Sequence, residues 1–505
     1  MREGGQAAAQ SMQALQQRFG RRYRWLLLLS VMIGTMASVM SSTIINVAIP
    51  DMSRFFSLGQ ERAQWATSGF MAAMTVSMLA TPWLLERFGY RRIYTSCVLL
   101  LMAGGIGGGL ADNYTLVLAA RIAEGLAAGV LQPIPPIIIL RAFESNQQGR
   151  ASGIFGMGVV LAPALGPSVG GLLVELFGWR SIFFMVVPFC VAALWLANRY
   201  VPVTAPDDSP AGANTRSLDW RGMITAGIGT LCLLNGLVQL QGGTLPVALG
   251  LILAALMFLG VFVRWQRHLG QRQARGEDTG PLLNLALFAD KRFASGSIVA
   301  FIYGTALFGS TYLVPVFLQM GLHLSAAYVG TVLLPAGLLL AGTIAVVGRM
   351  ADKQPAHRLV SIGLLLLALS FWWMTYVGHQ PASRTVPALL FCAVVGRIGL
   401  GFILPSLNLG SMRGLSPAFI PQGSSAINFL RTLGGAAGVS LCGIVLEWRV
   451  AAHGATLEAG SGIADDGRID AFNETFLMLA ALCAVALMAA RRMKANAGHE
   501  SPSAS

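Results

Sequence analysis

Residues 121–133 read RIAEGLAAGVLQP in the middle of a long apolar stretch. Arg121 and Glu124 are three apart, so on a helix they are neighbours on one face. An ionisable group inside an apolar span is a functional hypothesis by default, because desolvating it is costly. Glu124 is the one carboxylate that falls well inside such a span; Glu175, Glu447 and Glu474 sit at span ends. A carboxylate beside a guanidinium can take up a proton in one conformation and release it in another, which makes Glu124 and Arg121 the candidates for proton coupling. The alternative is a fixed ion pair that locks helix packing.

Arg397 and Arg431 are two further cations within apolar spans. Each needs a partner or a water-filled cavity, so a cavity-lining or gating role stands beside a carbonyl-paired structural one. Ser41 and Asn46 are polar positions in the first span. Met32, Met36 and Met40 form a stripe there, and Phe301, Phe308 and Tyr312 form another near residue 305. Methionine and aromatic faces can repack around varied apolar ligands; helix packing or lipid contact is the other reading. Ser41, Asn46, Met36, Met40, Phe308 and Tyr312 therefore join Arg397 and Arg431 as cavity or gating candidates.

Two loops place an acid at a helix end followed by bases: Glu86 with Arg87, Arg91 and Arg92, and Asp352 with Lys353 and Arg358. Such clusters could latch helix ends together, or serve only as orientation charge. Between them, residues 156–173 read GMGVVLAPALGPSVGGLL. Small residues and prolines in a membrane helix permit close packing and bending. Gly158, Pro163, Gly166, Pro167, Gly170 and Gly171 are the candidate hinge or seam.

No lysine of the three follows a glycine, so a GxxxxGK phosphate loop is absent. The six histidines fall in expected loops or tails, without HExxH, and no nucleophile–His–acid set has a scaffold. The six cysteines lie singly in apolar runs, which supports neither a disulfide framework nor a metal site. The chain is expected not to be an enzyme, to hold no cofactor, and to draw energy from an ion gradient, the membrane potential or the substrate's own gradient.

The elements that carry these residues follow from composition. Of 505 residues, 55% are apolar and 11% charged, and mean hydropathy is +0.64. A soluble domain is roughly 25% charged, so there is too little charge to clothe a soluble body of this size. Spanning about 30 Å of hydrocarbon takes about 20 residues. Fourteen runs qualify: 25–49, 64–85, 93–111, 114–140, 150–176, 181–199, 222–241, 244–264, 293–317, 325–348, 358–378, 385–407, 423–446 and 471–490. An even number puts both termini on one side. Of 35 basic residues, 26 fall on the side of the N-terminus and 6 on the other, so both termini are expected in the cytoplasm. The net charge of +13 is thereby spread over eight segments as orientation charge, not gathered as a nucleic-acid patch. Residues 1–24 end in an arginine cluster, and the apolar run that follows is too long for a signal-peptide core.

Polar stretches at 200–220 and 266–281 isolate the seventh and eighth runs. The expected organisation is a tail (1–24), a six-helix bundle (25–200), a linker with two extra helices (201–292), a second six-helix bundle (293–490) and a tail (491–505). The two bundles look like repeats. RIAEG at 121–125 corresponds to RIGLG at 397–401, each following an acidic–basic loop. Internal repeats of this kind mark secondary transporters, with the site between them near the midplane.

These residues resemble the major facilitator superfamily, specifically its 14-helix drug:proton antiporter branch (EmrB/QacA-type). TIINVAIP (43–50) is similar to that branch's helix-1 signature. Arg121, Gly125, Gly129 and Pro133 match the helix-4 motif associated with proton coupling. Gly158, Pro163, Gly166, Pro167, Gly170 and Gly171 match the antiporter motif. GWRSIFF (178–184), RTLGGAAG (431–438) and GRMAD (348–352) also resemble family segments. Four positions depart from the pattern: Ser41 stands where an aspartate is common, Pro82 replaces glycine, Glu86 replaces aspartate, and Glu124 replaces glutamine. The resemblance implies an all-α polytopic fold of 14 transmembrane helices in the inner membrane. It implies proton-coupled export of small amphiphilic compounds by alternating access, in a branch whose members often pair with a periplasmic adaptor and an outer-membrane channel. A dedicated exporter of one metabolite (siderophore, pigment or peptide) and a non-transporting, sensor-like homologue are the alternatives.

Overall fold

The computed structural model describes residues 11–58, 60–206, 209, 216–240, 244–277, 280–322, 324, 326–377, 382–455 and 465–494; within helices, the side chains of 60–61, 63–64, 163–168, 326–328, 331–332, 382–384 and 465 lie outside the described residues. Among the described residues there is no strand. The helices are α1 (Met12–Phe19), α2 (Tyr23–Phe55), α3 (Gln60–Phe88), α4 (Tyr90–Gly109), α5 (Tyr114–Leu131), α6 (Ile134–Ala142), α7 (Gln148–Phe177), α8 (Ser181–Phe184), α9 (Val186–Tyr200), α10 (Trp220–Gln239), α11 (Leu245–Ala274), α12 (Lys291–Val316), α13 (Ala326–Ala351), α14 (Ala356–Val377), α15 (Ala382–Met412), α16 (Ile420–Ala452) and α17 (Asp465–Arg492).

Local chemistry fixes several ends. The Asn113 side chain caps α5 by accepting from the Leu116 N–H at 2.8 Å, and Asp290 caps α12 by accepting from Arg292 N–H at 2.7 Å. Gly89 (φ 78°) and Gly178 (φ 78°) take left-handed backbone at the turns after α3 and α7, where a side chain would be strained. Pro133, Pro135 and Pro136 interrupt the expected fourth span, so it is built from α5 and α6 rather than one continuous helix.

Twelve helical segments among the described residues are long and apolar enough to cross a membrane. The expected spans 93–111 and 150–176 are not among the twelve; they coincide with α4 and α7. Arg91, Arg92 and five glycines in Gly104–Gly109 lower the apolarity of α4. The 30-residue α7 includes residues 163–168, whose side chains lie outside the described set.

One apolar core draws on residues 15–201, with Ile420 as its single member from beyond them. A second is built mainly from residues 282–493. In the first, α3 and α4 pack on α5, and α7 and α9 pack on α2. In the second, α12 packs on α16, and α14 on α15 and α17. The two halves meet along α7 with α13 and along α3 with α16. Helices α10 and α11 pack on each other, and α10 lies against both α3 and α16. Leu245, Leu253, Leu256 and Met257 on α11 are exposed, as a lipid-facing helix requires.

Several sequence expectations need correction. The polar stretch 266–281 is not all loop, because α11 runs to Ala274. Its Gln266 is fully buried, donates to Asp219 Oδ2 at 2.7 Å and accepts from Leu283 N–H at 3.2 Å. Asp219 Oδ1 also takes the Trp265 indole N–H at 2.8 Å, so a buried polar knot holds the helix together beyond its apolar run. His268 and His357 are therefore helical, on α11 and α14, rather than in loops. The loop implied between the expected spans 423–446 and 471–490 begins later, after α16 ends at Ala452. All six cysteines are free, with Cys97 and Cys232 only half-buried.

Candidate functional site

Arg121 and Glu124 face inward from α5, each 1% exposed. Arg121 Nη1 donates to Glu124 Oε2 at 2.5 Å and to Ser41 Oγ at 2.8 Å, while Nε donates to the Ala66 carbonyl at 3.4 Å. The guanidinium carbon lies 4.2 Å from the Phe70 ring centroid, a favourable cation–π placement. The sequence paired Arg121 with Glu124 by spacing; the structure adds Ser41 from α2, eighty residues away.

Glycines make room for this cluster. A Cβ on Gly104 would come within 2.5 Å of Glu124 Cγ, and one on Gly125 or Gly129 would strike the backbone of α3 at Phe70 or Met74. The close crossing of α3, α4 and α5 thus seals the ion pair from solvent. Glu124 Oε1 and Arg121 Nη2 have no hydrogen-bond partner. An unsatisfied buried polar atom costs about 1–3 kcal/mol, more where charge is involved, so the pair is held tightly but incompletely.

Between the two halves lies a small, partly open pocket. Thr35, Gln132, Ser152, Asn408, Asn428 and Arg431 supply its polar lining, from both halves of the chain. Arg431 Nη2 donates to Asn428 Oδ1 at 2.6 Å and to Gln132 Oε1 at 3.3 Å. Gln132, Asn408 and Asn428 were not singled out from sequence, although polar side chains inside apolar spans were the signal that could have found them. A second small pocket lies within the C-terminal half and is lined by Arg397 with Ser310, Ser370 and apolar neighbours. Arg397 Nη2 donates only a long bond, 3.4 Å, to Thr311 Oγ1.

The other cavity candidates have different surroundings. Asn46 accepts from Thr67 at 3.2 Å. Met36 packs with Met32 on Gly158, and Met40 is buried. Phe308 covers Gly435, and Tyr312 is 36% exposed. None of these, nor Ser41, lines the pocket between the halves.

Along α7, Gly158 accommodates Met32 and Met36, Gly170 accommodates Ile44, and Gly171 faces open space. The side chains of Pro163, Gly166 and Pro167 lie outside the described residues. The tightest seam is nearer the start of the helix. A Cβ on Gly348 of α13 would lie 2.5 Å from Gly153 Cα, and one on Gly153 2.8 Å from Gly348 Cα, so backbone meets backbone.

Asp352 sits just beyond that seam. Its Oδ1 accepts from Gly149 N–H at 2.6 Å and its Oδ2 from Arg150 N–H at 3.0 Å, capping the start of α7 from the opposite half. Burial pushes its carboxyl above the usual carboxylate range, while the two backbone donors pull it down. At the same end, Arg141 donates to the Pro417 carbonyl at 2.6 Å and Ser424 to the Pro133 carbonyl at 2.9 Å. The first loop motif behaves differently: Arg91 Nε donates to the Val201 carbonyl at 2.7 Å, within its own half. Glu86 and Arg87 are half-buried at the end of α3, and Arg92 and Lys353 are exposed.

Comparison with known proteins completes the description. The profile described as Major Facilitator Superfamily matches residues 31–439. The "Multidrug export protein EmrB" of Haemophilus influenzae is 26% identical, covering 85% of this chain and 81% of that protein. The "Riboflavin transporter RibZ" of Clostridioides difficile is 25% identical, covering 83% and 87%. The solved proton:xylose symporter XylE superposes with a TM-score of 0.63 at 12% identity, covering 93% of this chain and 95% of that one, which is a likeness of fold.

Proposed function

This chain belongs to the Major Facilitator Superfamily, in its drug-efflux branch, and is a transporter and not an enzyme; from that premise we propose that it is a proton-coupled antiporter exporting small amphiphilic compounds by alternating access. The observation that carries this reading is the sealed cluster of Arg121, Glu124 and Ser41. Aspartate is common at position 41 in this branch. Here the counter-charge for Arg121 comes from Glu124, one turn along the same helix. The carboxylate remains beside the same cation but on a different helix.

In this mechanism a proton entering from outside binds Glu124 and neutralises it. Arg121 then loses its counter-charge and is left with its bonds to Ser41 and the Ala66 carbonyl. Release of that proton inward restores the pair, and substrate moves outward in the intervening conformation. The proton gradient is the energy source, and no cofactor takes part. The reading includes α4 and α7 among fourteen spans, divided as 25–200, 201–292 and 293–490. It places both termini in the cytoplasm and the protein in the inner membrane, with the end bearing Asp352 on the cytoplasmic side. The 26-to-6 distribution of basic residues supports that orientation. A periplasmic adaptor and outer-membrane channel belong to the same proposal.

The test is substrate-dependent proton flux in liposomes. Glu124→Gln should abolish it while leaving substrate binding intact; full flux in this variant would overturn coupling at Glu124. A dedicated exporter of one metabolite is the second reading, favoured by the similarity to a protein named as a riboflavin transporter. A toxicity panel in a susceptible host separates them: protection against many compounds supports multidrug export, and protection against one supports the dedicated exporter.

A further inference from the structure

Among the described residues, three arginines and one carboxylate lie well inside the apolar spans, and the carboxylate is already taken. Glu124 pairs with Arg121. Arg431 has only the neutral amide oxygens of Asn428 and Gln132 as acceptors, and Arg397 has one threonine hydroxyl. The next acid on α16, Glu447, lies about 24 Å along the helix from Arg431. Among the described residues, no carboxylate forms an ion pair with either arginine. Both are half-buried rather than sealed, and each lines a cavity.

Tyr303 stands within electrostatic range of both guanidinium groups. It is 1% exposed, and its hydroxyl has no hydrogen-bond partner. Two uncompensated cations and an unsatisfied hydroxyl converge on one region of the C-terminal half, next to a cavity that reaches the N-terminal half. A buried cation of this kind requires an anion or water. A guanidinium presents a planar fork of donors that matches a carboxylate or sulfonate in two-point contact.

We propose that the transported compound is an amphiphilic organic anion whose carboxylate or sulfonate docks on Arg431 in the central cavity, with Arg397 as the second positive pole. This deepens the export reading and rests on it for direction. Charge balance favours it: an inside-negative potential drives a monoanion outward, and exchange for one inward proton moves two elementary charges in the same electrical sense. The apolar body of the anion would lie against Phe155, Val159 and Leu404.

The experiment uses the full chain in lipid nanodiscs, with three probes measured by equilibrium dialysis: an anilinonaphthalene sulfonate, neutral Nile red and cationic ethidium. The sulfonate should bind at least tenfold more tightly than ethidium. Arg431→Gln should weaken sulfonate binding at least tenfold and leave Nile red unchanged. Arg431→Lys, which keeps the charge but not the fork, should recover only part of it, and Arg397→Gln should show a smaller loss, providing readouts if Arg431→Gln does not fold. Ethidium binding as tight as sulfonate binding, or sulfonate binding indifferent to Arg431, would overturn the proposal. The same probes are then offered to liposomes. Sulfonate that binds at Arg431 while no probe crosses leaves the anion site standing and the export reading refuted. Ethidium that crosses while sulfonate neither binds nor crosses does the reverse.

Discussion

Arg121 and Arg397 open the same motif, RIAEG and RIGLG, on corresponding helices of the two halves. Three residues on, the first repeat has Glu124 and the second has Leu400, each 1% exposed. The first cation is neutralised within its own helix and sealed by Gly104, Gly125 and Gly129. The second faces a cavity with a hydroxyl at 3.4 Å as its hydrogen-bond acceptor. One inherited motif thus serves two ends. Where the acid is present, the arginine is held in a closed, buried ion pair. Where leucine replaces it, the charge stays available to something from outside.

Converting each repeat into the other tests this contrast. Glu124→Leu makes the first repeat like the second and strands Arg121 in a site with no room for water. Removing one partner of a buried ion pair costs about 3–5 kcal/mol, so the detergent-solubilised variant should melt well below wild type. The double variant Arg121→Leu with Glu124→Leu should recover most of that stability and still lack proton flux. A single variant as stable as wild type would show that the pair is not sealed as described. Leu400→Glu runs the conversion the other way. A carboxylate three residues from Arg397 should compete with a bound anion, weakening sulfonate affinity about tenfold, or about 1.4 kcal/mol. Unchanged affinity would remove Arg397 from the anion site.

The smallest effect concerns the loops. Asp352 joins the two halves, whereas Arg91 in the first motif braces its own. Asp352→Asn, which keeps one acceptor oxygen but turns an NH2 donor toward the second backbone N–H, should loosen the contact by about 1 kcal/mol. Spin labels at the exposed positions Arg92 and Lys353 should report a broader distance distribution. The pH dependence has a definite sign. Burial in the closed arrangement holds Asp352's carboxyl above its ordinary range against the pull of the two N–H donors, so this arrangement binds the proton more tightly than a solvated one. Its stabilisation is complete below the ordinary pKa and fades as pH rises through the raised value. Acidification at that end should therefore shorten the label distance, and lengthening would contradict the assignment.

Much of this architecture was legible in the sequence, because apolar runs of membrane length and paired spacings are local signals. The Arg121–Glu124 contact followed from a three-residue offset. Its third member, Ser41, did not, since that contact depends on how α2 packs against α5. Gln132 reaches Arg431 across 299 positions, and Asp352 caps α7 through backbone N–H groups that no side-chain pattern reveals. The extension of α11 escaped notice because Gln266 reads as a loop residue until Asp219 and Leu283 are seen to satisfy it.

The crossing of Gly153 with Gly348 carries a mechanical consequence. With backbone touching backbone at this one point, the two helices can tilt about the crossing while the distance between their axes stays fixed there. Such a contact is a fulcrum. Gly170 lies about 26 Å farther along α7, so a tilt of about 10° there would sweep the far end of the helix through about 4–5 Å. A rotation small enough to leave the joint intact would widen the opposite mouth by more than the diameter of a water molecule.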